Sequence, residues 1–292
     1  MTKIMQKLRE RARSGGSDGN SPTGTGPAAA AEGFVAEPNA EAAALETAPL
    51  HPTTRELDLR RVDSALITLH NRHAPISEQY RSLRARLLNM NPDQQHQLIL
   101  ITSSMPQEGK SVTTVNLGVA LATGQELSVV IGDADFRGAS VARMLGLEPR
   151  PGLAELIHGT AGLNDVLQPT HLPNLKVVAA GGEDQEDYAA LVGCAGARTA
   201  LQALRERFDY VLLDTPPVNT VSDVSMLAPH CDGIILVVEM QRTPEPTVHE
   251  AVRTLQTTNV KLLGCVLSRV PRQPGQYYER YYNYYNYYRR DA

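Results

Sequence analysis

Tryptophan is absent from this sequence, and phenylalanine occurs three times in 292 residues. Cysteine is as scarce: Cys194, Cys231 and Cys265 lie far apart and form no C-x-x-C pair. That spacing argues against a disulfide scaffold or a zinc site and leaves buried free thiols in a reducing cytoplasm as the expectation. No apolar run approaches the roughly 18 residues that cross a bilayer. The opening MTKIMQKLRERARSGG is basic but lacks the apolar region of a secretory signal. A frayed, solvated terminus is expected there, with a short membrane-surface or partner helix as the alternative. Net charge is −4, which argues neither for nor against nucleic acid as a partner. From Ser14 to Pro49 the text runs mostly through Gly, Ser, Pro, Thr, Ala and Glu, with Phe34 its one aromatic. Such a segment buries too little apolar surface to offset the entropy of ordering it, so residues 1–60 are expected to be disordered.

The aromatics that do occur are concentrated at the other end. GQYYERYYNYYNYYRRDA holds eight of the eleven tyrosines: Tyr277, Tyr278, Tyr281, Tyr282, Tyr284, Tyr285, Tyr287 and Tyr288. The stretch has neither a helical nor a strand period, and Arg280, Arg289 and Arg290 keep it wet. A packed core is therefore excluded. Something outside residues 272–292 must use those phenols.

Between these ends, short apolar runs alternate with helical stretches. The runs are Leu98 to Thr102, Ser128 to Asp133, Leu175 to Gly181, Tyr210 to Pro217, Gly233 to Glu239 and Leu262 to Ser268. They are continuous rather than alternating, as expected of strands covered on both faces. Helices are expected over Lys110 to Gly124, Ser140 to Leu147, Tyr188 to Arg207 and Pro246 to Thr258. Strand, helix, strand, repeated, predicts an α/β domain over residues 61–271: a doubly wound, mostly parallel sheet with helices on both faces. Ligands of such sheets bind beyond the carboxyl ends of the strands.

SSMPQEGKS, Ser103 to Ser111, stands between a strand and a helix, as a phosphate-binding P-loop must. Gly109, Lys110 and Ser111 are in place, while Ser104 occupies the position of the first glycine. Ser104, Gln107, Glu108, Gly109, Lys110, Ser111 and Val112 are the candidate nucleotide-binding residues. VVIGDADFRG ends a second strand with Asp133 and Asp135, followed by Arg137, a candidate phosphate contact or salt-bridge partner. VLLDTPP ends a third with Asp214. Strand ends share one edge, so three carboxylates converge on Lys110 and Ser111. That combination predicts an ATP·Mg²⁺ site, with Ser111, Asp133, Asp135 and Asp214 as metal ligands and Lys110, Asp133, Asp135 and Asp214 as catalytic groups.

With these motifs in hand, the chain from about His73 to Tyr288 resembles the bacterial tyrosine kinases of capsule and exopolysaccharide synthesis. Their catalytic domain is of the ParA/MinD-like P-loop type. The resemblance implies a Walker A loop at Ser103–Ser111, a Walker A′ at Asp133–Arg137, a Walker B ending Asp214-Thr215-Pro216-Pro217, and a tyrosine cluster that accepts phosphate. It also implies that Glu78, Arg81 and Arg84, on a helix over about 77–90, lie at the subunit interface of a ring-like homo-oligomer. A separate membrane-embedded activator or polysaccharide co-polymerase, a phosphotyrosine phosphatase and a cytoplasmic location at the inner face of the plasma membrane follow from the same resemblance. Gln107 replaces a glycine usual in the family loop, Gly132 an aliphatic residue, and Ser268 an asparagine implicated in adenine contact. The transmembrane regulator fused to many relatives is not found in these 292 residues.

Three other readings share these residues. A ParA/MinD-like positioning ATPase is disfavoured because Met105 stands where those proteins carry a second lysine. A degenerate kinase would bind ATP and transfer poorly, given Gln107. An RNA-binding or self-associating tail would stack tyrosines beside arginines, but no basic groove accompanies it.

Overall fold

The computed structural model describes residues 54, 56–123, 127–183 and 187–271. The eight clustered tyrosines, and nearly all of the segment expected to be disordered, lie outside the described residues. The folded domain begins a little earlier than residue 61, because Leu57 is buried together with Val62 and Leu66.

Seven strands form one sheet: β1 Gln97–Ser103, β2 Val129–Asp133, β3 Gln168–Pro169, β4 Leu175–Val178, β5 Tyr210–Asp214, β6 Gly233–Glu239 and β7 Leu262–Ser268. Their spatial order is β3-β4-β2-β5-β1-β6-β7. Every pairing is parallel except that of the two-residue edge strand β3 with β4. Ten α-helices accompany them among the described residues: α1 Ile67–His70, α2 Pro75–Asn89, α3 Lys110–Ala122, α4 Val141–Leu145, α5 Leu153–His158, α6 Leu163–Val166, α7 Tyr188–Gly193, α8 Ala195–Arg207, α9 Asp223–Leu227 and α10 Glu245–Gln256.

The continuous apolar runs have a direct cause. In β1, Leu98 and Leu100 face one core while Ile99 and Ile101 face the other; β5 divides Val211 and Leu213 from Tyr210 and Leu212 in the same way. Residues of both parities are buried, so no polar alternation is left in the text. The expected α/β class and largely parallel sheet are what the structure shows. At the carboxyl edge the register sets Asp133 beside Asp214 and Ile101 beside the same Asp214. Residues 215–218 are stitched to the end of β1: the Thr215 backbone N–H donates to the Ile101 carbonyl at 3.0 Å and that of Val218 to the Ser103 carbonyl at 2.9 Å.

Several boundaries differ from the sequence expectations. The helix expected over 188–207 is broken at Cys194, whose ψ of 164° is extended. A Cβ at Gly196 would stand 2.2 Å from the Ile157 carbonyl oxygen, so the start of α8 is pressed onto the end of α5 and a continuous helix would collide. β4 stops at Val178, and Ala179 continues only as a bridge to Gly152. Among the cysteines, all free, Cys194 is exposed and the other two are half-buried, which corrects the expectation of buried thiols.

One polar pin holds the amino-terminal helices. Asn116, fully buried in α3, accepts from the Thr68 backbone N–H at 3.0 Å and hydroxyl at 2.7 Å, and donates to the Ala65 carbonyl at 3.1 Å. On α2, Arg81 pairs with Glu78 and donates to the Arg72 carbonyl at 2.7 Å. The buried Nε of Arg84 has no hydrogen-bond partner among the described residues, and burial pushes its pKa down.

Candidate active site

The loop between β1 and α3 folds around two left-handed residues, Gln107 at φ 65° and Gly109 at φ 90°. Only glycine adopts that region without strain, so the glycine usual at position 107 in the family has a steric reason, and Gln107 bears the strain with its side chain in solvent. The loop delivers the chain into α3 with no side chain capping the helix N-terminus. The N–H groups of Lys110, Ser111 and Val112 are thus left for a ligand. The buried hydroxyl of Ser104, on the same loop, also lacks a partner among the described residues. An uncapped helix start and an orphaned hydroxyl in one cradle fit a phosphate chain.

Lys110 aims its ammonium at two strand ends. Its Nζ lies 2.6 Å from Asp135 Oδ2 and 3.3 Å from Asp214 Oδ2. Burial pulls the Lys110 pKa down, but the Asp214 and Asp135 carboxylates together outweigh burial and hold it above its ordinary value. Ser111 Oγ donates to the same Asp214 oxygen at 2.5 Å, and Thr114, one helical turn beyond Lys110, approaches Asp214 Oδ1 at 3.4 Å. Asp214 is fully buried; burial raises its pKa, with Lys110 and Ser111 opposing.

Asp133 differs from its neighbours. Its Oδ1 accepts from the Asp135 N–H at 3.1 Å, and its Oδ2 from the N–H groups of Ser140 and Val141 at 2.8 and 3.0 Å. It is fully buried, and burial, reinforced by the Asp214 carboxylate, pushes its pKa up to about 7. Three backbone donors meet its oxygens, so Asp133 shapes the turn into α4. Asp135, two residues beyond the end of β2, is the only one of the three carboxylates with any exposed surface. Among the described residues no three His, Cys, Asp or Glu are arranged to hold a metal ion by themselves. A magnesium ion here fits Ser111, with Asp135 and Asp214 reaching its waters, since Mg²⁺ keeps much of its hydration.

Comparison with known proteins agrees with this fold. The family model described as NUBPL iron-transfer P-loop NTPase (ParA) matches residues 94–269. The tyrosine-protein kinase CpsD of Streptococcus agalactiae serotype Ia is 31% identical over 184 residues, which cover 63% of this chain and 78% of that protein. This chain belongs to the bacterial tyrosine kinases, within the ParA/MinD-like P-loop NTPases. The crystal structure of the chimerical protein CapA2B2 superposes with a TM-score of 0.67 at 29% identity, over 72% of this chain and 93% of that one. The succinoglycan biosynthesis transport protein ExoP of Rhizobium meliloti is 29% identical over 195 residues, and the chain spans 25% of its length.

Set beside the site expected of a bacterial tyrosine kinase, two side chains are turned elsewhere. Glu108 is buried and faces the protein: its Oε2 accepts from the Met105 N–H at 2.7 Å, and its Oε1 from the Thr243 hydroxyl and, at 3.4 Å, the Glu239 N–H. Its carboxylate holds the loop. Arg137 pairs with the buried Asp223 instead of reaching toward Lys110. Ser268 ties β7 to the loop, its hydroxyl donating to the Glu108 carbonyl at 2.6 Å. Thr114, Asp223, Glu239 and Thr243 escaped sequence reasoning. For Thr114, the four-residue helical spacing from Lys110 was the available signal; the others had none.

Proposed function

We propose that the chain is an ATP-dependent protein-tyrosine autokinase that phosphorylates its C-terminal cluster, Tyr277 to Tyr288, in trans and so regulates exopolysaccharide or capsule synthesis or export. The observation that carries this reading is the Lys110 ammonium, held between Asp135 and Asp214 at the open N-terminus of α3. The α3 N–H groups and Lys110 bind the phosphates of ATP and offset the charge that develops on their oxygens. Ser111, with Asp135 and Asp214 acting through water, would hold Mg²⁺, which would supply charge neutralisation at the phosphates. A tail phenol, protonated at neutral pH, bonds through its oxygen to the γ-phosphorus as the bond to the departing ADP breaks. Its proton passes to Asp135, the one carboxylate of the three with access to an incoming group.

Twenty residues separate Ser268 from Tyr288, at most about 65 Å when extended, which is enough to enter the site of a neighbouring subunit. Arg84, whose Nε finds no partner among the described residues, supports α2 as the surface between subunits. Residues 269–292 carry a formal +3, and full modification of eight tyrosines takes them to about −9 to −13. Phosphorylation then expels the tail and loosens the oligomer, and a phosphotyrosine phosphatase resets it. A membrane-embedded activator supplies the link to polysaccharide export.

The test mixes two full-length chains with ATP and Mg²⁺: one bearing Lys110→Ala, the other with all eight tail tyrosines changed to phenylalanine. Phosphotyrosine on the Lys110→Ala chain, read by mass spectrometry and absent when either chain is alone, is expected. Its absence from the mixture, with the wild-type chain also unmodified in the presence of an activator, rejects the reading.

A further inference from the structure

Immediately after Asp135 the chain builds an aromatic surface that the transfer chemistry leaves unused. Phe136 is buried and stacks on Tyr188 of α7, with ring centroids 5.3 Å apart and an interplanar angle of 12°. Arg137 Cζ lies 5.6 Å from the centroid of the same Tyr188 ring. Behind it, Asp223 is 1% exposed; one carboxylate oxygen pairs with Arg137 and the other has no hydrogen-bond partner among the described residues. A buried carboxylate with one counter-ion holds that counter-ion firmly, because withdrawal would strand the charge. The guanidinium is fixed from behind while 42% of the Arg137 side chain stays in solvent. Tyr188 is half-buried, and its hydroxyl donates to the Glu183 carbonyl at 3.0 Å. In a chain so poor in aromatics, the stack and the cation–π contact of the described residues share one ring, beside the carboxylate that meets the acceptor.

The tail shows a matching regularity. Its eight tyrosines fall into four adjacent pairs, at 277–278, 281–282, 284–285 and 287–288. Accepting a phosphoryl group requires one phenol, so pairing needs a second recognition element. We propose that Arg137 and Tyr188, backed by Phe136 and Asp223, form a docking platform for these pairs: while one phenol lies at Asp135, its sequence neighbour rests against Arg137 and Tyr188. One residue, Phe136, stands between Asp135 and Arg137, so their Cα atoms lie within about 7 Å of each other. The occupant is residues 277–288 of a second copy of the chain, so the proposal rests on the autokinase reading above. Arg137 and Tyr188 are positioning residues: they set which tyrosines are taken and leave the transfer step to Asp135 and Lys110.

The test compares the peptide GQYYERYYNYYNYYRRDA with one in which alanine replaces the second tyrosine of each pair. With the wild-type full-length chain, KM for the paired peptide is expected to be lower by about 3- to 10-fold, the scale of one aromatic or cation–π contact. Tyr188→Ala should raise the KM of the paired peptide to that of the unpaired one, and Tyr188→Phe should restore it, since the ring and not the hydroxyl is recognised. Equal KM for both peptides in the wild type overturns the proposal. So does a Tyr188→Ala effect that falls equally on both peptides, acts on kcat or the KM for ATP, or is not rescued by Tyr188→Phe. Anisotropy of the fluorescein-labelled peptides on the Lys110→Ala chain reads docking apart from transfer. Pair-dependent binding there with no transfer by the wild type would reject the kinase reading and keep the platform. Transfer without pair dependence would do the reverse.

Discussion

Two acidic clusters occupy the carboxyl edge of this sheet, one on each side of the P-loop. On the β2–β5 side, Asp135 and Asp214 share one ammonium, that of Lys110, and burial raises the pKa of Asp133 and Asp214. On the β6–β7 side, Arg269 and Arg242 both pair with Glu239, at 2.7 and 3.0 Å, and hold its pKa below the usual carboxylate value. Glu108 there is met by neutral donors on both oxygens. The first cluster has more carboxylates than the one ammonium can balance. The second is fully partnered, and its work is to fix the shape of the loop. Acidic residues at strand ends therefore mean different things according to what opposes them.

The largest expected effect separates chemistry from scaffolding. Lys110→Ala should lower tail phosphorylation by about 10²- to 10³-fold, read as phosphotyrosine per chain in initial-rate assays. Glu108→Ala should leave the rate per folded chain within a few-fold, and comparable losses in the two variants would erase the distinction.

Titration should then separate the clusters by sign. The folded pKa of Asp133, about 7, lies above its ordinary 3.8, so the folded chain keeps a proton that the unfolded chain has released. Stability from this group is full below about pH 3.8 and falls as pH rises to about 7. Across that window wild type should lose roughly 1–3 kcal/mol that Asp133→Asn does not lose, measured by urea unfolding without nucleotide. Glu239 runs the other way: with its pKa lowered, its contribution is present above the ordinary 4.5 and disappears as pH falls, and Glu239→Gln should remove that acid-side loss.

On the scaffolding side, Glu108→Ala strands the Met105 N–H and the Thr243 hydroxyl and should lower unfolding free energy by about 1–3 kcal/mol in denaturant titrations. The smallest effect tests the strained loop residue. Gln107→Gly relieves a left-handed backbone at the expense of chain entropy, so a gain of about 0.5–1 kcal/mol is expected. A loss would show that the Gln107 side chain has a role of its own.

Much of this was legible in residue types. The strands were readable because a sheet covered on both faces writes uninterrupted apolar runs, and β6 and β7 end where the text changes character. Gly109-Lys110-Ser111 and the three aspartates were readable because phosphate and magnesium chemistry restricts which groups can serve. The break at Cys194 was not, because it arises from Gly196 meeting the Ile157 carbonyl, a contact between helices that no local pattern encodes. Short helices such as α5 and α9 also left too few residues for a period to emerge. The tasks of Glu108 and Arg137 were hidden for a related reason: their partners Thr243 and Asp223 lie 135 and 86 residues farther along the chain.

Local chemistry, then, was written in the sequence: the Gly109-Lys110-Ser111 loop between strand and helix, the acidic strand ends, and where the sheet would run. Tertiary structure alone decided which carboxylates remain available. Asp133, Asp135 and Asp214 are alike as text, yet backbone N–H groups claim the first, burial closes the third, and only the second meets solvent. Hydrogen-bond partners and solvent access are set by segments brought together from far along the chain, and a linear pattern carries no record of them.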